Sequence, residues 1–173
     1  ADYLYEATNT PKDMRNVTLT AWGVISAPGS TLSLNLNVLT TLAVIKMGAD
    51  TSAANVDAVN TAVAHTFGLS QLQGTAVVAT NGASFNPTGG LSESENYGAL
   101  LASLSGMDRL NGGSLQTTLD SISSQLSVKG TSGILSDVGK YELTAGAKTV
   151  AALPANGALL NSGATSFSDA VAA

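Results

Sequence analysis

Leucine recurs at every second position in the stretch 32–36, where Leu32, Leu34 and Leu36 alternate with Ser33, Asn35 and Asn37. A period of two is the signature of a half-buried β-strand. From Asn37 onward the spacing changes. Val38, Leu39, Leu42, Val44 and Ile45 fall at helical intervals, and Gly48 follows as a stop. A second helix opens near Thr51 or Ser52, either of which suits a cap. Val56, Val59, Val63 and Phe67 step by three or four residues along one face, and Gly68 ends it. A strand feeding a helical hairpin is the best-specified part of the chain.

The reading extends on both sides of that stretch. Residues 3–8 offer a short strand, with Tyr3 and Tyr5 on one side and Leu4 and Glu6 on the other, and residues 9–13 a polar turn. In residues 17–25, Val17, Leu19, Ala21 and Ile25 share one face while Thr18, Thr20 and Trp22 share the other. Ala27, Pro28, Gly29 and Ser30 break that strand before Leu32 starts the next. Three strands joined by short turns predict an antiparallel meander, one face of which the following helices can cover.

Beyond Leu69, residues 70–91 are rich in Gly, Thr and Asn and read as a long surface loop, with 75–80 as a candidate isolated strand. Ser92 and Glu95 stand three apart, the capping-box spacing, ahead of a third helix. Its apolar face is Tyr97, Leu100, Leu101 and Leu104, with Gly106 as the stop. A loop over 107–113 leads to Ser114, which caps a fourth helix carrying Leu115, Leu119, Ile122 and Leu126 and closed by Lys129 and Gly130. Residues 135–143 and 145–153 are weakly helical, and Leu153 before Pro154 marks a boundary. The expected fold class is α+β: an N-terminal antiparallel β-meander packed against an α-helical bundle. One domain covers 1–153, and 154–173 form a tail of small residues anchored only by Leu159, Leu160, Phe167 and Val171.

Composition narrows the function. The hydrophobic share of 44% fits a globular protein, whereas charged residues make up only 11%, so Ser, Thr, Asn, Gly and Ala supply the surface. The net charge is −5, and the closest basic pair is Lys12 and Arg15. Nucleic acid and polybasic membrane attachment both require clustered cations, so neither is expected. The absence of cysteine removes disulfides, thiolate catalysis and zinc–sulfur sites. No apolar run reaches membrane-spanning length, and no signal-peptide pattern opens the sequence.

Candidate chemistry is sparse. His65 is the only histidine; it sits on the second helix and no G-x-S-x-G elbow accompanies it, so it reads as structural or surface rather than as part of a triad. Glu93, Glu95, Asp108 and Asp120 could furnish a carboxylate pair. Glu93 and Glu95 suit the positive end of the third helix better. Within Met107-Asp108-Arg109-Leu110-Asn111-Gly112-Gly113, Asp108 and Asn111 with two following glycines supply part of a calcium shell. The competing reading is a plain interhelical turn. Asp50 and Asp57 around the start of the second helix share that ambiguity. Trp22, Tyr3, Tyr5, Tyr97 and Tyr141 are either an aromatic platform for sugar or peptide or packing between strands and helices. Residues 10–13 and the 70–91 loop are candidate rim elements.

Three runs, LNVLTTLAVIKMG, AANVDAVNTAVAHTFGL and NYGALLASLSGMDRLNGG, preceded by YLYEAT and VTLTAWGVIS, resemble a module of very large bacterial surface adhesins of the RTX type. The resemblance spans roughly residues 3–126, and its motifs are caps, stops and core positions. It implies a non-enzymatic module on the bacterial cell surface, flanked by neighbouring domains of a larger adhesin and active in biofilms. It further implies calcium-dependent capture of a peptide or protein C-terminus on a partner cell; the metal candidates Asp108 and Asn111 come from the reading of the 107–113 loop. No ligand-binding residue carries over from it. The alternative is a structural spacer, or a self-assembling surface-fibre subunit whose tail from Ala155 packs into a neighbour.

Overall fold

The computed structural model describes residues 2–5, 10–13, 17–86 and 90–153. The element order is β1 (Asp2–Tyr5), β2 (Thr10–Asp13), α1 (Val38–Met47), α2 (Ala53–Thr66), α3 (Glu93–Leu110), α4 (Leu115–Gln125), β3 (Leu126–Lys129), β4 (Ser132–Leu135) and α5 (Asp137–Ala151). The strands form two separate antiparallel pairs, β1 with β2 and β3 with β4. Helices dominate, so the mixed α and β character stands. The tail over 154–173 and the expected strand residues 6–8 lie outside the described residues.

The helix starts follow the capping chemistry of the sequence. Asn37 accepts from Thr40 N–H at 3.1 Å while the Thr40 hydroxyl accepts from Asn37 N–H at 3.0 Å. Ser52 caps α2, Ser114 caps α4 and Ser136 caps α5. Ser92 and Glu95 form the reciprocal box expected of them. Each cap satisfies N–H groups that the first helical turn leaves without an intrahelical acceptor. At the far end of α2, Leu69 N–H reaches Ala64 O at 2.9 Å and Gly68 N–H reaches His65 O at 3.1 Å. This is the paired closure that needs a left-handed residue, and Gly68 supplies it at φ 69.

Helix α3 is the centre of the molecule. Glu95, Tyr97–Leu100 and Ala102–Asp108 are all buried. Its expected stop at Gly106 does not occur: the helix runs on to Leu110 because Gly106 serves a helix crossing instead. A Cβ at Gly106 would collide with the Gly146 carbonyl of α5, and one at Gly146 with the Ser103 carbonyl of α3 and with Met107 N at 2.8 Å. Two glycines thus let the α3 and α5 backbones touch. The same need explains α5, one continuous helix where two weak ones were expected. Gly146 costs helix propensity, and the close approach it allows to the buried face of α3 offsets that cost.

Three further expectations change. Residues 126–129 leave the helical stripe and pair with β4 across the Gly130–Thr131 turn, where Gly130 takes φ 58. Gly133 lays this hairpin on α2, since a Cβ there would strike the Thr66 hydroxyl and come within 2.9 Å of Ala62 O. The N-terminal meander is not formed: residues 17–36 hold no strand, and the only N-terminal pairing among the described residues is β1 with β2. The cause lies in where the backbone groups go. Thr20 N–H donates to the Thr41 hydroxyl at 2.9 Å and Thr20 O accepts from it at 3.2 Å. Trp22 O accepts from Asn60 Nδ2 at 2.9 Å, and Asn35 N–H donates to Gln73 Oε1 at 2.6 Å. Side chains of α1, α2 and residue 73 have taken the groups a ladder would use. Residues 75–80 likewise form no strand; Val78 N–H donates to Ser94 O at 3.1 Å, and Gly98 lets the Val78 carbonyl rest against α3.

Tyr97 ties these parts together. It is fully buried, donates to Leu72 O at 3.0 Å and accepts from Asn37 Nδ2 at 2.9 Å. Burial pushes its phenol pKa up, with the Asn37 and Asn35 hydrogen bonds pulling the other way. Tyr97→Phe removes the partner of two buried groups and is expected to lower stability by about 1–3 kcal/mol in urea unfolding. Gly146→Ala drives a methyl into the α3 backbone, and a loss of about 3 kcal/mol is expected in the same measurement.

Candidate functional site

The carboxy-terminal end of α3 meets the first turns of α5 in an open cleft of about 280 Å³. Met107, Leu110 and Ala145 give it an apolar floor, Tyr141 one wall, and Asn111 and Glu142 its polar groups. Tyr141 is 74% exposed and Leu110 57%, large apolar surfaces left to solvent beside a hollow. An apolar pocket with a few convergent polar groups is the usual form of a small-ligand or peptide site.

Of the two predicted metal residues, Asn111 lines this cleft and Asp108 does not. Asp108 is in the last turns of α3 rather than in a loop, and it is fully buried. Asn111 is the C-cap of α3, exposed, with its Nδ2 donating to the Thr118 hydroxyl at 3.1 Å. Asp108 O accepts from Gly113 N–H at 2.7 Å, closing the turn that the two glycines make. Glu142, which sequence reasoning passed over, faces the cleft and accepts from the Ser121 hydroxyl at 2.8 Å. It sits in a weakly patterned helix, and only the α3–α5 crossing brings it beside Asn111. Among the described residues no group of three or more His, Cys, Asp and Glu side chains is placed to hold a metal ion.

The other candidates are dispersed. His65 is exposed on the last turn of α2. Tyr97 is core, Trp22 is 41% exposed on the N-terminal segment, and the Tyr3 and Tyr5 side chains lie outside the described residues. Asp57 borders a second hollow of about 240 Å³ with Asn60, Gln71 and Gln73, and Asp50 accepts from Ser52 N–H at 3.0 Å. That backbone hydrogen bond lowers the Asp50 pKa.

Glu93 and Glu95 anchor the 70–91 segment to the start of α3. Glu93 accepts from the Ser70 hydroxyl and from Ser70 N–H at 2.7 Å. Glu95 accepts from the Ser92 hydroxyl at 2.6 Å, Ser92 N–H at 2.8 Å and Asn86 N–H at 2.7 Å. Those donors favour the charged form, so both carboxyls titrate below the usual Glu value. The Ser70 hydroxyl contributes most for Glu93 and the Ser92 hydroxyl most for Glu95.

No protein-family model, curated protein or solved structure matches this chain. The functional reading therefore rests on the residues themselves.

A carboxyl whose folded pKa lies below its unfolded one stabilises the fold above the unfolded value, and that contribution is lost as pH falls through the folded value. Glu95→Gln should lower the melting temperature at neutral pH. It should also flatten the decline in stability as pH drops below the usual Glu value of 4.5, measured by thermal melts across an acid series.

Proposed function

We propose that this chain is a non-catalytic adhesion module of the bacterial cell surface. Its α3–α5 cleft takes a peptide or protein C-terminus displayed by a partner cell, and neighbouring domains of a larger adhesin carry it. The observation behind the reading is the cleft itself, where exposed Tyr141 and Leu110 flank a hollow that Asn111 and Glu142 also line. A rigid exposed tyrosine with an apolar floor is the kind of anchor that peptide recognition uses. The weakly charged, hydroxyl- and amide-rich exterior and the likeness to adhesin modules in residues 3–126 point the same way.

The electrostatics of the cleft set a condition on the ligand. The carboxy end of α3 carries partial negative charge, and Glu142 adds a full one. None of the residues lining the cleft offers a bare carboxylate a cation. Calcium would supply one: Asn111 and Glu142, which line the cleft, and the carbonyls of the adjoining Gly112–Gly113 turn would hold it, while Asp108 is fully buried and does not line the cleft. These are fewer oxygens than the six to eight calcium takes, which leaves positions for water and a ligand carboxylate. Calcium dependence is thus part of the proposal.

A library of short peptides with free C-termini, screened by calorimetry, tests both parts. Binding is expected in calcium and lost in chelator, with Tyr141→Ala weakening it by about tenfold or more. Calcium alone should raise the melting temperature by mass action. An unaltered melt removes the metal, and a library without a binder removes the peptide.

A further inference from the structure

The second hollow, of about 240 Å³, forms where α2 meets residues 71–73. Asp57, Asn60 and Thr61 line it from α2, at the i, i+3 and i+4 spacing that puts side chains on one helical face. Gln71 and Gln73 line it from the following segment, and Val24 and Leu32 add apolar surface. Asn35 fixes that segment before any ligand arrives. Its N–H donates to Gln73 Oε1 at 2.6 Å, and its Nδ2 donates to Leu72 O at 2.7 Å and Thr75 O at 2.8 Å.

The polar groups of the hollow have unused hydrogen-bonding capacity of defined sign. Gln73 must turn its amide oxygen to the Asn35 N–H, which leaves Nε2 as a donor. That Nε2 is buried and has no acceptor among the described residues. Asn60 commits its amide nitrogen to Trp22 O at 2.9 Å, which leaves Oδ1 as an acceptor. The Asp57 carboxylate adds acceptors only. No residue lining the hollow is cationic.

We infer that this hollow binds a neutral polyhydroxylated ring, one residue of a saccharide. A hydroxyl both donates and accepts, so neighbouring hydroxyls donate to Asp57 and Asn60 while a further ring oxygen accepts from Gln73. The bond to the carboxylate is charge-assisted and is the strongest of the set. A buried donor without an acceptor is costly, and an oxygen brought to Nε2 relieves that cost on binding. Val24 and Leu32 cover the C–H surface of the ring. Other small ligands match less well. An anion finds no cation here, an ammonium ion offers Gln73 nothing, and a peptide amide brings a single N–H to two acceptor residues. The volume is below the roughly 300–1,000 Å³ of drug-sized sites and suits one ring. The inference is independent of the α3–α5 cleft.

Titration of the isotope-labelled chain with D-glucose, D-galactose, D-mannose and N-acetyl-D-glucosamine, followed by NMR, tests it. At least one sugar is expected to shift the Asn60 and Gln73 side-chain amide signals saturably. Trp22 is the single tryptophan, so its fluorescence gives a second readout through its bond to Asn60. Asp57→Asn keeps the shape and removes the charge, and should weaken binding about tenfold or more. Gln73→Glu keeps an acceptor for the Asn35 N–H but replaces the free donor with an acceptor. A similar loss is expected from it, with circular dichroism confirming the helical fold. No saturable shift with any of the sugars, binding that Asp57→Asn leaves intact, or N-methylacetamide binding as tightly as the sugars overturns the inference.

Discussion

Two backbones touch at Gly106 and Gly146, and that contact governs how far α3 can be enclosed. Residues with a Cβ at either position would separate α3 from α5 and expose Met107 and Val150, both now buried. Interiors are packed too tightly to absorb an added methyl against backbone atoms without displacement. Once α5 is seated, the hairpin before it is held against α2 through Gly133, and α3 is left with almost no solvent face. The cleft at the end of α3 is a by-product of the same crossing. Where the helices diverge past Met107 they leave Leu110 and Tyr141 on its two sides.

The polar interior is as specific as the apolar one. Tyr97, Asn37 and Asn35 form a connected set reaching Leu72, Gln73 and Thr75, so the segment before α1 and the segment after α2 are both pinned to α3. The Tyr97 hydroxyl and the Asn35 and Asn37 amide nitrogens each have a stated partner, which is what makes burial of a polar group tolerable, whereas the buried Gln73 Nε2 has none. That network also decides which side of residues 32–36 faces outward. Amides that bind the body turn the leucines toward solvent, with Leu36 the most exposed of the three.

Much of the helical frame was legible in the residues. Asn37, Ser52, Ser92 and Ser114 cap four helices because a short polar side chain satisfies first-turn N–H groups locally, without help from the rest of the fold. Gly68 closes α2 for an equally local reason. Gly106 and Gly146 were not legible, since a glycine reads as a stop until a second helix is seen pressed against it. Leu126 continued a helical stripe from Ile122 as well as it opened a strand, and its pairing with Leu135 decided the matter. The leucines at 32–36 announced a strand with an apolar side but not the direction it faces; hydrogen bonds from Asn35 to residues about 40 positions away decided that. Sequence determined the locally satisfied features, caps and closures, because their partners are three or four residues off. Tertiary structure determined which side chains converge at Asn111 and Glu142 and which face stays open, because those depend on backbone approach between distant segments.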